Sequence, residues 1–300
     1  MRIAITGGTG LVGKALTESL RADGHDLFIL TRNQVNGYQK GVTYVKWLSK
    51  ESDPAGEIEA VDVIINLAGE SINGGRWSDE RKAQIVNSRI NATNEVVSII
   101  KRLKNKPKLL INASGIGFYG TSTVDTFTEA TEKAGNDFLA QTVDQWEAAT
   151  LEARELGVRT VFARFGVILD KKDGALPRIA LPYQLFAGGT VGSGDQWLSW
   201  IHIKDVVQGL QHVIDSSDLS GPVNFCAPEA VTMKNFGKTL GSVLNRPHWI
   251  PAPSFALRLV LGEMSMLVLE GQRVIPEKLL KSGYAFTFPT LQEALQNIYS

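Results

Sequence analysis

The sequence predicts an α/β protein built on a doubly wound parallel sheet, with a smaller, mainly helical C-terminal lobe. Short apolar runs alternate with segments of helical period through the first part of the chain, the pattern of strands joined by crossover helices. Those runs are apolar almost throughout rather than at every second residue, as strands covered on both faces must be. Beyond about residue 169 the alternation yields to proline-, glycine- and aromatic-rich stretches and then to a series of helical segments.

In chain order, strands are expected at 3–6, 27–31, 61–67, 109–114 and 158–164, with a further one at 222–226. Six or seven such strands make a doubly wound sheet. Helices are expected at 11–23, closed by Gly24, at 79–104, ended by Pro107, at 137–156, closed by Gly157, and at 203–214. Glycine is free to take the left-handed conformation that stops a helix, and proline cannot continue one. Further helices are expected at 232–244, 255–270, 276–281 and 291–298, and Thr290 followed by Glu293 makes a capping box for the last. This divides the chain into residues 1–170, rejoined by 203–227, and a second unit of 171–202 and 228–300.

Composition narrows the function. With 300 residues, 43% hydrophobic and 21% charged, the chain is long enough for a sizeable core. Lysine plus arginine equals aspartate plus glutamate at 31 each, so no net field points to nucleic acid or an anionic membrane, and a small molecule is the expected partner. No run approaches the roughly 18 apolar residues of a membrane span. The apolar stretch after Met1-Arg2 is too short for a signal peptide, so a cytoplasmic location is expected. Segment 255–269 carries Leu257, Leu261, Met264 and Val268 at helical spacing but lacks the basic face of a membrane-surface helix. Core packing or a subunit contact is expected there, which leaves a homodimer open. Cys226, the single cysteine, lies in an apolar run and reads as a buried, inert thiol. His25, His212 and His248 are scattered without metal-ligand spacing, and no metal is expected.

The chemistry concentrates where the first strand ends. Residues 2–6 run into Gly7-Gly8-Thr9-Gly10-Leu11-Val12-Gly13, which opens a helix. Gly7 can supply the positive φ of a tight turn, Gly10 lets a pyrophosphate approach the backbone, and Gly13 lets helix and strand pack closely. Free N–H groups and a partial positive charge at the helix N-terminus suit phosphates. At the end of the second strand, where a carboxylate would bind the ribose 2′-hydroxyl of NAD, stands Thr31-Arg32-Asn33. Arg32 suits the 2′-phosphate of NADP instead, so NADPH is expected in preference to NADH. Ala68 and Gly69, beyond the strand 61–67, leave room for the adenosine side of a dinucleotide. The cofactor set is thus Gly7, Thr9, Gly10, Leu11, Val12, Gly13, Arg32, Leu67, Ala68, Gly69, Glu70 and Arg89.

Several motifs carry a resemblance. The G-x-x-G-x-x-G spacing of Gly7, Gly10 and Gly13, Asn66-Leu67-Ala68-Gly69, the segment Ser114 to Gly120 and Trp200 to Asp205 together resemble the NAD-dependent epimerase/dehydratase family of extended short-chain dehydrogenases. Ser88 to Thr93, Asp144 to Glu147, Arg164 to Leu169 and Gly271 to Pro276 resemble its atypical epimerase family branch. The likeness runs over nearly the whole chain and implies a Rossmann-like fold.

It also implies a tyrosine and a lysine four residues apart on one helix, acting as a proton-transfer pair. Counted back from Glu147, those positions fall on Leu139 and Val143, neither of which can move a proton, and the usual asparagine is replaced by Arg89. What remains for the chemistry is Ser114, at a strand end where a family hydroxyl would meet a substrate carbonyl, and Tyr119, with Arg89 and Arg164 nearby. Ser114 could equally close its strand with a local hydrogen bond, and Tyr119 could be core. Glu70 and Glu129 are the expected internal partners of the two arginines, whose alternative is an anionic ligand. His202 is expected to cap and pack, and Trp77, Trp197 and Trp200 to flank the substrate cleft. Two functions follow: an NADP(H)-dependent oxidoreductase or epimerase-like enzyme acting on a small carbonyl or hydroxyl compound, or a non-catalytic nucleotide-binding protein that docks a partner according to cofactor occupancy.

Overall fold

The computed structural model describes residues 1–33, 40–58 and 60–300. Seven strands form one wholly parallel sheet: β1 (Arg2–Thr6), β2 (Asp26–Thr31), β3 (Val42–Lys46), β4 (Val63–Asn66), β5 (Leu109–Gly115), β6 (Arg159–Phe165) and β7 (Gly221–Phe225). Their order across the sheet is β7-β6-β5-β4-β1-β2-β3. The chain reverses its direction of travel between β1 and β4, and a crevice opens there at the carboxyl ends of the strands. The outermost strand, β3, was not among those expected. Only Val45 of its five residues is buried, so it lacks the continuous apolar run of an inner strand.

The two faces of the sheet are covered by different helices. On one, α1 (Leu11–Ala22) buries Leu16 and Leu20, one turn apart, against Ile3, Ile5, Leu27 and Ile29. The helix Ile203–Asp215 joins it through Val206, Leu210 and Val213. On the other, α2 (Asp79–Arg102) buries Ala92, Val96, Val97 and Ile100 against Ala4, Ile64 and Leu110. Ser78 caps α2 by accepting the Arg81 N–H, with Asp79 and Glu80 in the first turn and Lys101 and Arg102 in the last, each sign complementing the helix dipole.

Two expected helices are divided. The helix expected at 137–156 is α3 (Phe138–Ala148) followed by a separate turn, Leu151–Glu155. Both the backbone N–H and the hydroxyl of Thr150 go to the carbonyl of Glu147, which interrupts the regular helical ladder. Beyond β6 come α4 (Leu176–Gln184) and α5, the Ile203–Asp215 helix already described on the sheet face, and the C-terminal region then contributes α6 (Met233–Leu244), α7 (Ser254–Leu261) and α8 (Leu291–Tyr299). The helix expected at 255–270 stops at Leu261, because Gly262 takes φ +61°, and resumes only as short turns to Leu269. Phe255, Leu259 and Val260 of α7 are exposed rather than packed in the core.

Leu176, Tyr183, Trp200, Phe236, Leu240, Leu291 and Leu295 share a separate core under this region. Thr290 caps α8 and bonds the Glu293 side chain. Short two-stranded ribbons tie the region to the sheet domain: Val167–Leu169 with Trp200–His202, and Thr126–Phe127 with Arg273–Val274. No helix of the described residues is long and apolar enough to cross a membrane.

Candidate functional site

The turn after β1 is built for close approach. Gly7 has φ +66°, and a Cβ there would sit 2.6 Å from the carbonyl oxygen of Leu67. A Cβ on Gly13 would collide with the carbonyl of Gly7. Gly10 differs: its added Cβ would meet only the Gly7 oxygen, at 3.4 Å, so it faces open space. The Gly10 N–H bonds back to Gly7, and no side chain caps α1. The first-turn N–H groups of Leu11, Val12 and Gly13 therefore face the crevice without an intrahelical acceptor. Thr9 is exposed at the tip of the turn, and Val12 packs on the core below it.

A buried polar network holds the crevice floor. The Thr6 hydroxyl donates to Asn66 Oδ1 (2.6 Å) and accepts the N–H groups of Leu67 (3.1 Å) and Ala68 (3.2 Å), fastening the turn after β4 to β1. Asn66 Nδ2 donates to Asn112 Oδ1 (2.6 Å) and Thr93 (3.1 Å), and Trp146 donates to Thr93 (3.0 Å). One network thus joins β1, β4, β5, α2 and α3, and its four polar residues are fully buried.

Around the crevice, Arg32 is exposed at the end of β2. Arg89 lies between Gly69 and the Trp146 ring, its Cζ 5.0 Å from the ring centroid. Its Nη1 donates to the carbonyls of Glu70 (3.0 Å) and Ile85 (2.9 Å). Burial lowers the Arg89 pKa to about 10, against the favourable charge of Glu70, so the group stays ionised at neutral pH. The Glu70 carboxylate is paired instead with Arg81, at 3.2 Å.

A cavity of about 410 Å³ continues from this crevice toward the C-terminal region. Leu11, Arg89 and Ser114 reach it from the sheet domain; Leu139, Thr142, Val143 and Trp146 form one wall along α3; Met266, Leu267 and Gln272 close it from the other side. Leu139 and Val143, where the resemblance implies a tyrosine and a lysine, do face this space.

Ser114 lines the cavity, and its hydroxyl donates to Glu147 Oε1 at 2.6 Å. Glu147 also accepts two bonds from Arg164, Nε to Oε1 and Nη2 to Oε2, both 2.8 Å. Burial opposes the Arg164 charge, yet the bonds and charge of Glu147 outweigh it and raise the pKa. The partner of Arg164 is therefore Glu147 and not Glu70 or Glu129. Glu129 instead accepts the backbone N–H groups of Asn224, Glu277 and Lys278.

Tyr119 is not brought to the cavity. Its hydroxyl donates to Asn224 Oδ1 (2.8 Å), its ring stacks on Phe127, and burial pushes its pKa up to about 12. Sequence reasoning singled out Ser114 and Arg164 but missed the carboxylate between them. Glu147 served only as a landmark, because nothing local marks a helix glutamate as the partner of residues on two strands.

Among the other candidates, His202 caps α5: its Nδ1 accepts the Lys204 N–H (3.0 Å) while its ring packs on Phe288. Cys226 is fully buried, which drives its thiol pKa up and keeps it protonated. Trp197 lines the cavity, whereas Trp77 packs edge-on against Phe138 and Trp200 is wholly buried. Gly271 and Gln272 also line the cavity. The Gln272 side-chain amide donates to the Ile116 carbonyl, and the Gln272 backbone carbonyl accepts from the Ser199 hydroxyl.

Comparison with known proteins agrees with this geometry. Residues 3–225 match the model of the NAD dependent epimerase/dehydratase family, and residues 252–298 match a domain of unknown function, DUF1731. The chain is 49% identical over 298 residues to epimerase family protein YfhF of Bacillus subtilis (strain 168), covering 99% of this chain and 98% of that one. The human epimerase family protein SDR39U1 (isoform 2), solved with NADPH, aligns with a TM-score of 0.88 at 32% identity over 100% of this chain and 99% of that one. A nucleoside-diphosphate sugar epimerase from Corynebacterium glutamicum aligns with a TM-score of 0.80 at 30% identity, over 100% of this chain and 58% of that one. With the glycine turn, the polar floor and the switch-point crevice all in place, this chain belongs to the NAD dependent epimerase/dehydratase family.

Proposed function

We propose that the protein binds NADP(H) in the crevice and acts as an oxidoreductase or epimerase-like enzyme on a small carbonyl or hydroxyl compound held in the adjoining cavity. The observation that carries this reading is the juxtaposition of the two. An uncapped helix N-terminus with open space above Gly10 leads directly into a cavity entered by Ser114. That open space fits a diphosphate, and Arg32 at the end of β2 fits a 2′-phosphate. NADPH in the human relative supports the choice of cofactor.

When bound, NADPH supplies a hydride. The protein groups supply position. The first-turn N–H groups of α1 hold the phosphates, and Arg89 holds the dinucleotide where it passes from the β4 turn into the cavity. Ser114, whose proton is committed to Glu147, offers a lone pair to a hydroxyl or amide N–H of the ligand. With Leu139 and Val143 on the cavity wall and Tyr119 turned away, the proton for a reacting oxygen falls to water or to the substrate itself. The same wall favours the second reading, a nucleotide-binding protein that docks a partner without turnover.

Titration with NADPH and NADH, followed by NADPH consumption over ketones, aldehydes, quinones and nucleotide sugars, separates the two. Consumption with any substrate supports the enzyme; tight NADPH binding with none consumed supports the binding protein. Failure of both dinucleotides to bind overturns both readings.

A further inference from the structure

We infer that the cavity takes a neutral, largely apolar alcohol or carbonyl compound and discriminates against nucleotide sugars. The inference rests on the reading of the crevice as a dinucleotide site, which commits Arg89 to the cofactor.

Charge is the first reason. Among the described residues, Arg89 is the only lysine or arginine lining the cavity, while two carboxylates, Asp137 and Glu270, line it as well. Asp137 is occupied in capping α3 through the N–H groups of Leu139 and Ala140, and Glu270 accepts from Thr121. Neither has a cation beside it in the cavity to offset a second negative group. A nucleotide sugar brings a diphosphate, whose charge needs cations or a helix N-terminus to leave water. Of the helix N-termini at the cavity, that of α1 is used by the dinucleotide, that of α3 is capped by Asp137, and that of α4 has Pro177 in its first turn and the N–H groups of Arg178 and Ile179 bonded to the Ala175 carbonyl.

The wall is the second reason. Leu139, Val143, Trp146, Met266 and Leu267 present hydrocarbon and an indole face. This surface rewards apolar contact, and the polar side chains that also line the cavity, such as Asn73, Thr142 and Gln272, are too few to match every hydroxyl of a hexose against it.

Hydrogen-bond direction is the third. Ser114 donates to Glu147, and Glu147 as a carboxylate has only acceptors, so Ser114 shows the cavity an acceptor. A ligand hydroxyl matches it; a phosphate or a carbonyl oxygen, each an acceptor, does not, so a carbonyl compound is held by the apolar wall rather than by this contact.

The test is equilibrium binding, read by tryptophan fluorescence and by calorimetry, with acetophenone, 1-phenylethanol, benzoate, UDP and UDP-glucose as probes. It is run with and without saturating NADP+. The neutral ketone and alcohol are expected to bind at least tenfold more tightly than UDP-glucose, with benzoate weaker than acetophenone despite its similar size. Leu139→Lys is expected to weaken the ketone at least tenfold and to narrow or reverse the gap to UDP; Val143→Lys serves where Leu139→Lys does not fold. UDP-glucose binding as tightly as the ketone, or no binding of either neutral probe at millimolar concentration, overturns the inference. If NADP+ itself fails to bind, the cofactor reading falls, and the ranking of probes in the free protein still judges the cavity.

Discussion

At the scale of single residues, the proposed cofactor preference and chemistry rest on a few side chains and on what each meets. Arg32 is exposed at the end of β2, free to meet a 2′-phosphate, and no carboxylate stands in the Thr31-Arg32-Asn33 segment to receive a 2′-hydroxyl. NADPH should therefore bind more tightly than NADH by roughly 1.5–3 kcal/mol, the range of a hydrogen bond to a charged group. Arg32→Asp should abolish that gap, as measured by titration of each cofactor; equal affinities in the unaltered protein would refute the assignment. Tyr119 and Ser114 show the opposite case. Sequence paired them as the remaining polar groups of the site, but their hydroxyls go to different partners, Asn224 and Glu147, and only Ser114 reaches the cavity.

At the scale of elements, Gly10 in the β1–α1 turn and Gly13 in the first turn of α1 have different physical reasons for being there. The backbone at Gly10 is extended, φ −80° and ψ 177°, and its missing Cβ faces open space. Gly10→Val should fold normally and lose dinucleotide binding, because only the ligand competes for that space. Gly13→Val should instead lower the melting temperature, since its Cβ collides with the Gly7 carbonyl and forces helix from strand. A Gly10→Val protein that is folded and binds with unchanged affinity would place the phosphates elsewhere.

The cap of α5 adds a pH dependence. Burial, reinforced by Lys204 and opposed by Asp170, lowers the His202 pKa to about 4, and its Nδ1 must stay unprotonated to accept the Lys204 N–H. The unfolded chain takes up this proton near pH 6.5 and the folded one only near 4. Stability from this group is therefore complete above 6.5 and is lost as pH falls toward 4, by about 1–2 kcal/mol at pH 5. Urea unfolding at pH 7.5 and pH 5 should show this loss in the native chain and not in His202→Asn, which keeps a capping side chain. Equal losses in both would exclude His202 as the source.

For the molecule as a whole, buried polar contacts join the C-terminal region to the sheet domain beside the apolar packing of Leu279, Tyr284 and Phe286. Asp205, in the first turn of α5, accepts the N–H groups of Thr287 (2.7 Å) and Phe288 (3.0 Å) and the Tyr284 hydroxyl (3.1 Å). Asp205 is fully buried on a helix of the sheet core, whereas Phe288 and α8 belong to the separate core. Asp205→Ala would strand three donors and should cost roughly 2–4 kcal/mol. Hydrogen exchange should quicken first over 284–299, with Asp205→Asn milder. Unchanged exchange there in the alanine variant would show that apolar packing alone holds the two cores together.

The sequence by itself determined the parallel sheet, the glycine turn, most helix ends and the absence of a tyrosine-lysine pair. All of these are written in local patterns: apolar runs set by burial on both faces, glycines set by φ or close approach, caps within one turn of the helix they serve. Tertiary structure alone decided the rest. Strand β3 is half-buried and so left no continuous apolar run, and Gly262 stopped a helix whose apolar spacing continues past it. The partnership of Ser114, Glu147 and Arg164 joins β5, α3 and β6, and the cavity is closed by Met266, Leu267 and Gln272 from far along the chain. Sequence spacing reports which residues must be buried. Which buried polar group answers which is fixed only when crossover connections bring residues 46 and 60 positions apart into register, as they do for Asn66 with Asn112 and Thr6 with Asn66 on neighbouring strands.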